Sequence, residues 1–224
     1  MLSFEQPQET AEIFSSTGVE ARAKKVGELV REFTVTDQNG RSTQLSQTWR
    51  KGPLVIVFFR GDQCTRCELQ LQAWMHYLRE LEGLGASIVA ITPQSVRDIT
   101  EEFEGVASGI AMFSDTLHEA ANAFGLSVTL PPEVVDLYAA SGMDAPVLAA
   151  DGSWVLPIPA TFVVGQSGRI RFAHVDADSH HVIDPGVVLA ALARQRRIDT
   201  IAHRMRTSRL ARLLWLFDLP DLEK

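Results

Sequence analysis

Six consecutive apolar residues, Leu54-Val55-Ile56-Val57-Phe58-Phe59, stand just ahead of the only two cysteines of the chain, Cys64 and Cys67. A run that is apolar at every position, rather than at alternate ones, suits a strand covered on both faces at the centre of a sheet. From Glu68 the period changes. Leu69, Leu71, Trp74, Met75, Leu78 and Leu81 recur at three- and four-residue spacing until Gly83 and Gly85 interrupt the pattern. A buried strand feeding an amphipathic helix, with both thiols at the junction, is the strongest constraint in the sequence.

Further elements alternate in the same way. Ser87 to Thr92 reads as a second buried strand, Val96 to Phe103 as a helix, Ala111-Met112-Phe113 as a short strand and Leu117 to Phe124 as another helix. Phe33 to Thr36 followed by Asp37-Gln38-Asn39-Gly40-Arg41 reads as a peripheral hairpin, because Asn-Gly suits a tight turn. Phe162-Val163-Val164 and Ile170 to Ala173 flank Gly165-Gln166-Ser167-Gly168 as a closing hairpin. Strand and helix alternation ending in a hairpin predicts an α/β fold with a mixed central sheet flanked by helices. Leu130-Pro131-Pro132 opens an insertion over Glu133 to Leu148, residues 1–25 read as an N-terminal helical arm, and the chain from Val187 reads as helical almost to Pro220.

With 224 residues, 46% of them hydrophobic, the chain can bury a sizeable core as one domain with extensions. Leu54 to Phe59 and the seven-residue run Val187 to Ala193 are its longest apolar stretches, both far short of the roughly 20 residues that span a bilayer, so no transmembrane helix is expected. The start, Met1-Leu2-Ser3-Phe4-Glu5-Gln6-Pro7, has neither a basic beginning nor an apolar core segment, so no secretory signal is readable and the cytoplasm is the expected compartment. Structural disulfides are rare there, which turns a close cysteine pair towards catalysis, redox sensing or metal binding.

The net charge of −7 argues against nucleic acid as a partner, since phosphate binding needs a basic face. The charge is unevenly spread. Seven of the 21 basic residues and one of the 28 acidic ones lie between Arg194 and Arg212, leaving 14 against 27 in the remainder. Apolar positions Ile198, Ile201, Met205, Leu210, Leu213 and Leu214 are interleaved with those arginines. Docking of this tail on the acidic body, of its own or of a second subunit in a homodimer, is the plainest reading, and a membrane surface is the lesser alternative.

A thiol where a buried strand gives way to a helix meets unpaired backbone N–H groups and the positive end of the helix dipole, both of which favour thiolate. Arg60 and Arg66 add positive charge nearby, while Asp62 and Glu68 oppose it. Two intervening residues let the sulfurs meet across one helical turn, and with no third cysteine an intramolecular resolving partner must be the other member of the pair. Two other readings stay open. Cys-x-x-Cys is half of a zinc site, but the other half is missing, because His180-His181 is the only dense histidine cluster and has no usual ligand spacing. Two buried, inert cysteines would also fit, since free cysteine packs as a small hydrophobe.

Several pieces, in order, give the chain a family likeness: FTVTDQNGRSTQL, GPLVIVFFRGDQCTRCELQLQAW, SIVAITPQS, FSDTLHEAANAFGL, LPPEVVDLYAASGMD and GSWVLPIPATFVVGQSGRIRFAHVDADSHH. From Val26 to about Leu192 the sequence resembles the peroxiredoxin-like alkyl hydroperoxide reductase/thiol-specific antioxidant branch of the thioredoxin fold. The resemblance implies a thioredoxin-like domain over residues 26–193, between the arm at 1–25 and a basic helical tail at 194–224. It implies that Pro159 is the cis-proline facing the cysteines, with the backbone of Ile158 exposed to pair with an incoming chain and Thr161 beside it. It also implies no metal, flavin or nucleotide cofactor, a hydroperoxide or protein disulfide as substrate, and an external dithiol as reductant.

The sequence departs from the family at two places. Asp62-Gln63 precede Cys64 and Thr65-Arg66 separate the cysteines, where the branch usually resembles Trp-Cys-Pro-x-Cys. Cys64 also stands where true peroxiredoxins carry Thr or Ser, and Pro159 where they carry an arginine. Either thiol can therefore be the attacker. A thioredoxin-like reaction would use Cys64 and a peroxiredoxin-like one Cys67. The expected function is hydroperoxide reduction through a Cys64–Cys67 pair. The alternatives are protein disulfide reduction docked on the Ile158–Pro159 loop and a non-enzymatic module whose oxidation state alters exposure of the tail.

Overall fold

The structure, a computed structural model, describes residues 14, 16–60, 65–102, 109–140, 152, 154–177 and 183–207. Seven strands form one mixed sheet in the order β2-β1-β5-β4-β3-β8-β9, with β1 Thr34–Asp37, β2 Ser42–Gln44, β3 Leu54–Phe58, β4 Ser87–Thr92, β5 Ala111–Ser114, β8 Ala160–Val164 and β9 Ile170–Val175. β3, β4 and β5 run parallel, and β8 is antiparallel to β3 with Val57 opposite Thr161. Every residue of β3 is buried. Alternate side chains leave a strand on opposite faces, so an uninterrupted apolar run requires cover on both. Leu54, Ile56 and Phe58 enter a cluster with Phe33, Trp49, Phe124 and Phe162, while Val55, Val57 and Phe59 enter another with Leu71, Trp74, Leu81, Val188 and Leu192.

The first cluster is covered by α2 (Ser46–Trp49) and α6 (Glu119–Phe124), and the second by α3 (Thr65–Met75), α4 (Leu78–Gly83) and α8 (Pro185–Thr207). The single helix expected from Glu68 to Leu81 is two. Tyr77 N–H donates to Trp74 O at 2.9 Å, a tightened turn, and Tyr77 leaves helical geometry with φ −110° before α4 begins. Leu69, counted in the apolar period, points outward at 56% exposure. The other helices are α1 (Val19–Arg22), α5 (Val96–Glu102) and α7 (Pro132–Ala140). Pro132 takes the first position of α7, where its missing N–H costs no hydrogen bond.

The insertion begins and ends in an unexpected two-stranded ribbon. β6 (Ser127–Thr129) pairs antiparallel with β7 (Val155–Pro157), Val128 opposite Leu156. Val128, Leu130, Val134, Leu156 and Ile158 pack with Phe14 and Val19 of the N-terminal arm in a third cluster. The arm is held by its backbone: Lys24 N–H donates to Phe124 O at 3.0 Å. Gly125, with φ +72°, lies so close that a Cβ would fall 2.4 Å from Arg22 O.

α8 is capped by Asp184, whose Oδ1 accepts the Gly186 N–H at 2.8 Å. The helix runs unbroken across residues 193 and 194, the expected junction of domain and tail. Leu192 is buried, whereas residues 196–201 are exposed. Among the described residues no helix is long and apolar enough to cross a membrane. The tail beyond Thr207, with Leu210, Leu213 and Leu214, lies outside the described residues, as does most of the N-terminal arm before Phe14.

Candidate active site

The carboxyl ends of β3, β4 and β5 form one edge of the sheet, and ligands of open α/β sheets bind at such edges. β3 delivers Arg60 there, its backbone pairing continuing through Phe59 N–H to Ile91 O at 3.1 Å. Arg60 is 6% exposed, and the Phe14 ring lies over its Cζ at 4.1 Å. α3 begins at Thr65, so Cys64 immediately precedes its first residue and Arg66 and Cys67 are its second and third. Cys64 itself lies outside the described residues, as do the side chains of Arg66 and Cys67. An eleven-residue helix aims its N-terminal N–H groups and positive dipole end at this junction.

α3 is tied to β8 by a buried hydrogen bond: Gln70 Nε2 donates to Thr161 Oγ1 at 3.0 Å. Gln70 lies three residues after Cys67, one turn along the same helix. Thr161 is 1% exposed, so this site residue acts on the helix rather than on solvent. Gln70 escaped the sequence reading, because a polar residue within an amphipathic pattern looks like part of the solvated face.

Pro159 is not a cis-proline. Among the described residues no peptide bond is cis, and the Ile158–Pro159 bond is trans. An X–Pro bond keeps a trans preference of about 0.5–1 kcal/mol unless its surroundings reverse it. The Ile158 backbone, expected to be open to an incoming chain, has its N–H already engaged. Its N–H donates to Leu126 O at 3.0 Å as the β6–β7 pairing runs on, and its side chain is fully buried in the third cluster. Pro159 O accepts the Asp176 N–H at 3.0 Å, which fixes the other side of the loop.

A second polar group at this edge was legible only as family-like text, in ITPQS and FSDTLH. Thr92 Oγ1 donates to Gln94 Oε1 at 3.2 Å and Ser114 Oγ to Gln94 O at 2.5 Å, all three residues buried. Asp115 accepts the N–H groups of Ala120 at 3.0 Å and Ala121 at 2.8 Å, capping α6, while His118 turns the chain with φ +56°. Burial pushes the Asp115 carboxyl up to about 6, outweighing the backbone N–H groups that pull it down. The signal was available: polar residues, Thr92 and Ser114, closing two apolar strands.

Among the described residues, no three His, Cys, Asp or Glu side chains gather as a metal ion would need. His180 and His181 lie outside the described residues.

The model of the AhpC/TSA family matches residues 26–173. No curated protein sequence matches the chain significantly. Among solved structures, peroxidoxin BcpB from Mycobacterium tuberculosis superposes with a TM-score of 0.59 at 22% identity, over 76% of this chain and 97% of that one. Reduced Prx3 from Vibrio vulnificus in complex with H2O2 gives 0.60 at 16% identity, over 75% and 99%. Peroxiredoxin Q from Xanthomonas campestris gives 0.55 at 19% identity, over 73% and 91%. At these identities the likeness is one of fold, and it spans nearly the whole of each of these structures.

Proposed function

Because the chain belongs to the AhpC/TSA family, we propose that its thiol-dependent reduction of hydroperoxides runs through a Cys64–Cys67 redox pair. What supports this reading is the start of α3 at Thr65, in the connection that follows β3: in sequence Cys64 immediately precedes that residue, and Cys67 is the third residue of the helix. The helix start favours thiolate, and this favours Cys64 as the attacker with Cys67 as its partner.

The thiolate attacks one peroxide oxygen, an S–O bond forms and the O–O bond breaks, so sulfur loses two electrons and the leaving oxygen takes a proton to become water or an alcohol. The second thiol then attacks the sulfenic sulfur. An S–S bond forms, the S–O bond breaks and water leaves. An external dithiol restores both thiols by two exchange steps, and the oxidising equivalents leave as its own disulfide. Arg60, withdrawn from water at the end of β3, is proposed to support the thiolate or a peroxide oxygen by its charge. The competing reading, disulfide exchange with a chain docked on the Ile158–Pro159 loop, is weakened because the Ile158 N–H is already committed to Leu126.

The test is stopped-flow oxidation of reduced wild type, Cys64→Ser and Cys67→Ser by hydrogen peroxide and an organic hydroperoxide, followed by intact mass. Loss of two hydrogens in wild type and a sulfenate in the Cys67→Ser protein alone is the expected outcome. A sulfenate in Cys64→Ser alone would exchange the two roles. Oxidation of wild type no faster than a free thiol would remove the peroxidase reading.

A further inference from the structure

Phe14 lies ahead of residue 26, where the family match begins, yet it contributes to the site edge. Its side chain is 0% exposed and its ring covers the Arg60 guanidinium carbon at 4.1 Å. It is fixed from both sides. Thr17 donates to Phe14 O through N–H at 3.1 Å and Oγ1 at 2.6 Å, and the ring packs among Val19, Val128, Leu130, Val134, Leu156 and Ile158.

A guanidinium withdrawn from water loses hydration, and an aromatic face restores part of it while setting the plane of the group. The apolar cluster behind the ring also keeps the local dielectric low, so the charge acts more strongly on a nearby anion than it would in water. We infer that Phe14 is a positioning residue: the N-terminal arm orients Arg60 so that its charge bears on the thiol segment that follows it. The inference rests on the reading of Cys64 and Cys67 as the redox pair with Arg60 as its support. It makes the arm a working part of the site rather than a surface appendage, and it distinguishes a π face from mere apolar filling at position 14.

The experiment is a double-mutant cycle on the full chain, with Phe14→Leu and Arg60→Met alone and together. It is read by the pH dependence of thiol alkylation with iodoacetamide in each single-thiol background and by the rate with hydrogen peroxide. Phe14→Leu is expected to move thiolate formation to higher pH and to slow alkylation near neutral pH about tenfold, the scale of a lost cation–π contact of roughly 1.4 kcal/mol. In the Arg60→Met background the same substitution should change the rate less than about twofold, since coupled partners are not additive. An equal loss in both backgrounds, or no loss in the first, overturns the inference. Phe14→Met, which also fills the space without a ring, gives the same reading should Phe14→Leu not fold. If wild type proves inert towards peroxide, the peroxidase reading fails on its own, while the alkylation profiles still decide the role of Phe14.

Discussion

Gln70 and Thr161 meet 3.0 Å apart inside the protein, and their hydrogen bond joins the thiol-bearing helix α3 to β8, the antiparallel neighbour of β3. Both are buried, so each depends on the other for satisfaction. Thr161→Val keeps the shape and removes the acceptor, leaving the Gln70 amide with a buried donor. It should lower stability to denaturant by about 1–3 kcal/mol. Gln70→Leu with Thr161→Val should recover part of that loss, because replacing both partners by apolar groups removes the unsatisfied amide. Chemical unfolding of the two single variants and the double variant checks this.

Asp115 makes the fold sensitive to mild acid in an unusual sense. Its carboxyl is raised from 3.8 to about 6 by burial, so between these values the folded protein holds a proton that the unfolded chain has released. Stability from this group is therefore present below pH about 4, and it is lost as pH rises through about 6, by up to roughly 3 kcal/mol. The wild type minus Asp115→Asn difference in unfolding free energy should fall across that window and flatten above it. A difference that rises with pH would show that the α6 N–H groups prevail over burial.

Gly125→Ala should separate the arm from the body. The position has φ +72°, and its Cβ would meet Arg22 O at 2.4 Å, a backbone atom that cannot swing away. A loss of about 1–3 kcal/mol is expected from strain of this kind. Limited trypsin digestion should then cut at Arg22, Lys24 or Lys25 faster than in wild type, and thiol alkylation should slow as it does in Phe14→Leu.

Asp184→Ala tests the opposite case, a cap on α8 rather than a contact of the thiol-bearing α3 or of Arg60. It removes the side-chain cap at the start of α8 and should cost about 1 kcal/mol in thermal or denaturant unfolding. The alkylation pH profile should stay where it is in wild type, which makes this variant the control for stability losses unrelated to the site.

The elements that were legible in the sequence are those whose signal is local and repeated. Leu54 to Phe59 announced a central strand because no position in it could face water, and the structure buries each of them. The break between α3 and α4 was invisible, since Leu71, Trp74 and Leu81 reach the same cluster across it and a periodic pattern does not register one tightened turn. The β6–β7 ribbon was missed because each strand has three residues and its partner lies far along the chain. The trans bond at Pro159 corrects an inference drawn from family likeness, and in the same loop the Ile158 N–H is bonded to Leu126 O. Gln70 and Phe14 were beyond reach for a common reason: their roles come from what lies opposite them, Thr161 and Arg60, and neither spacing nor composition encodes that.

The ribbon has one more consequence. Because Ser127 and Pro157 sit in register, the 25 residues from Leu130 to Trp154 leave and re-enter the body through a single stitched gateway. Chain-closure entropy grows so slowly with length that doubling such an excursion costs only about 0.6 kcal/mol. The segment is thus an exchangeable cassette. A descendant of this chain could lengthen, shorten or rewrite it, provided the places of Leu130 and Val134 are filled, and acquire a new surface without shifting one rung of the seven-stranded sheet.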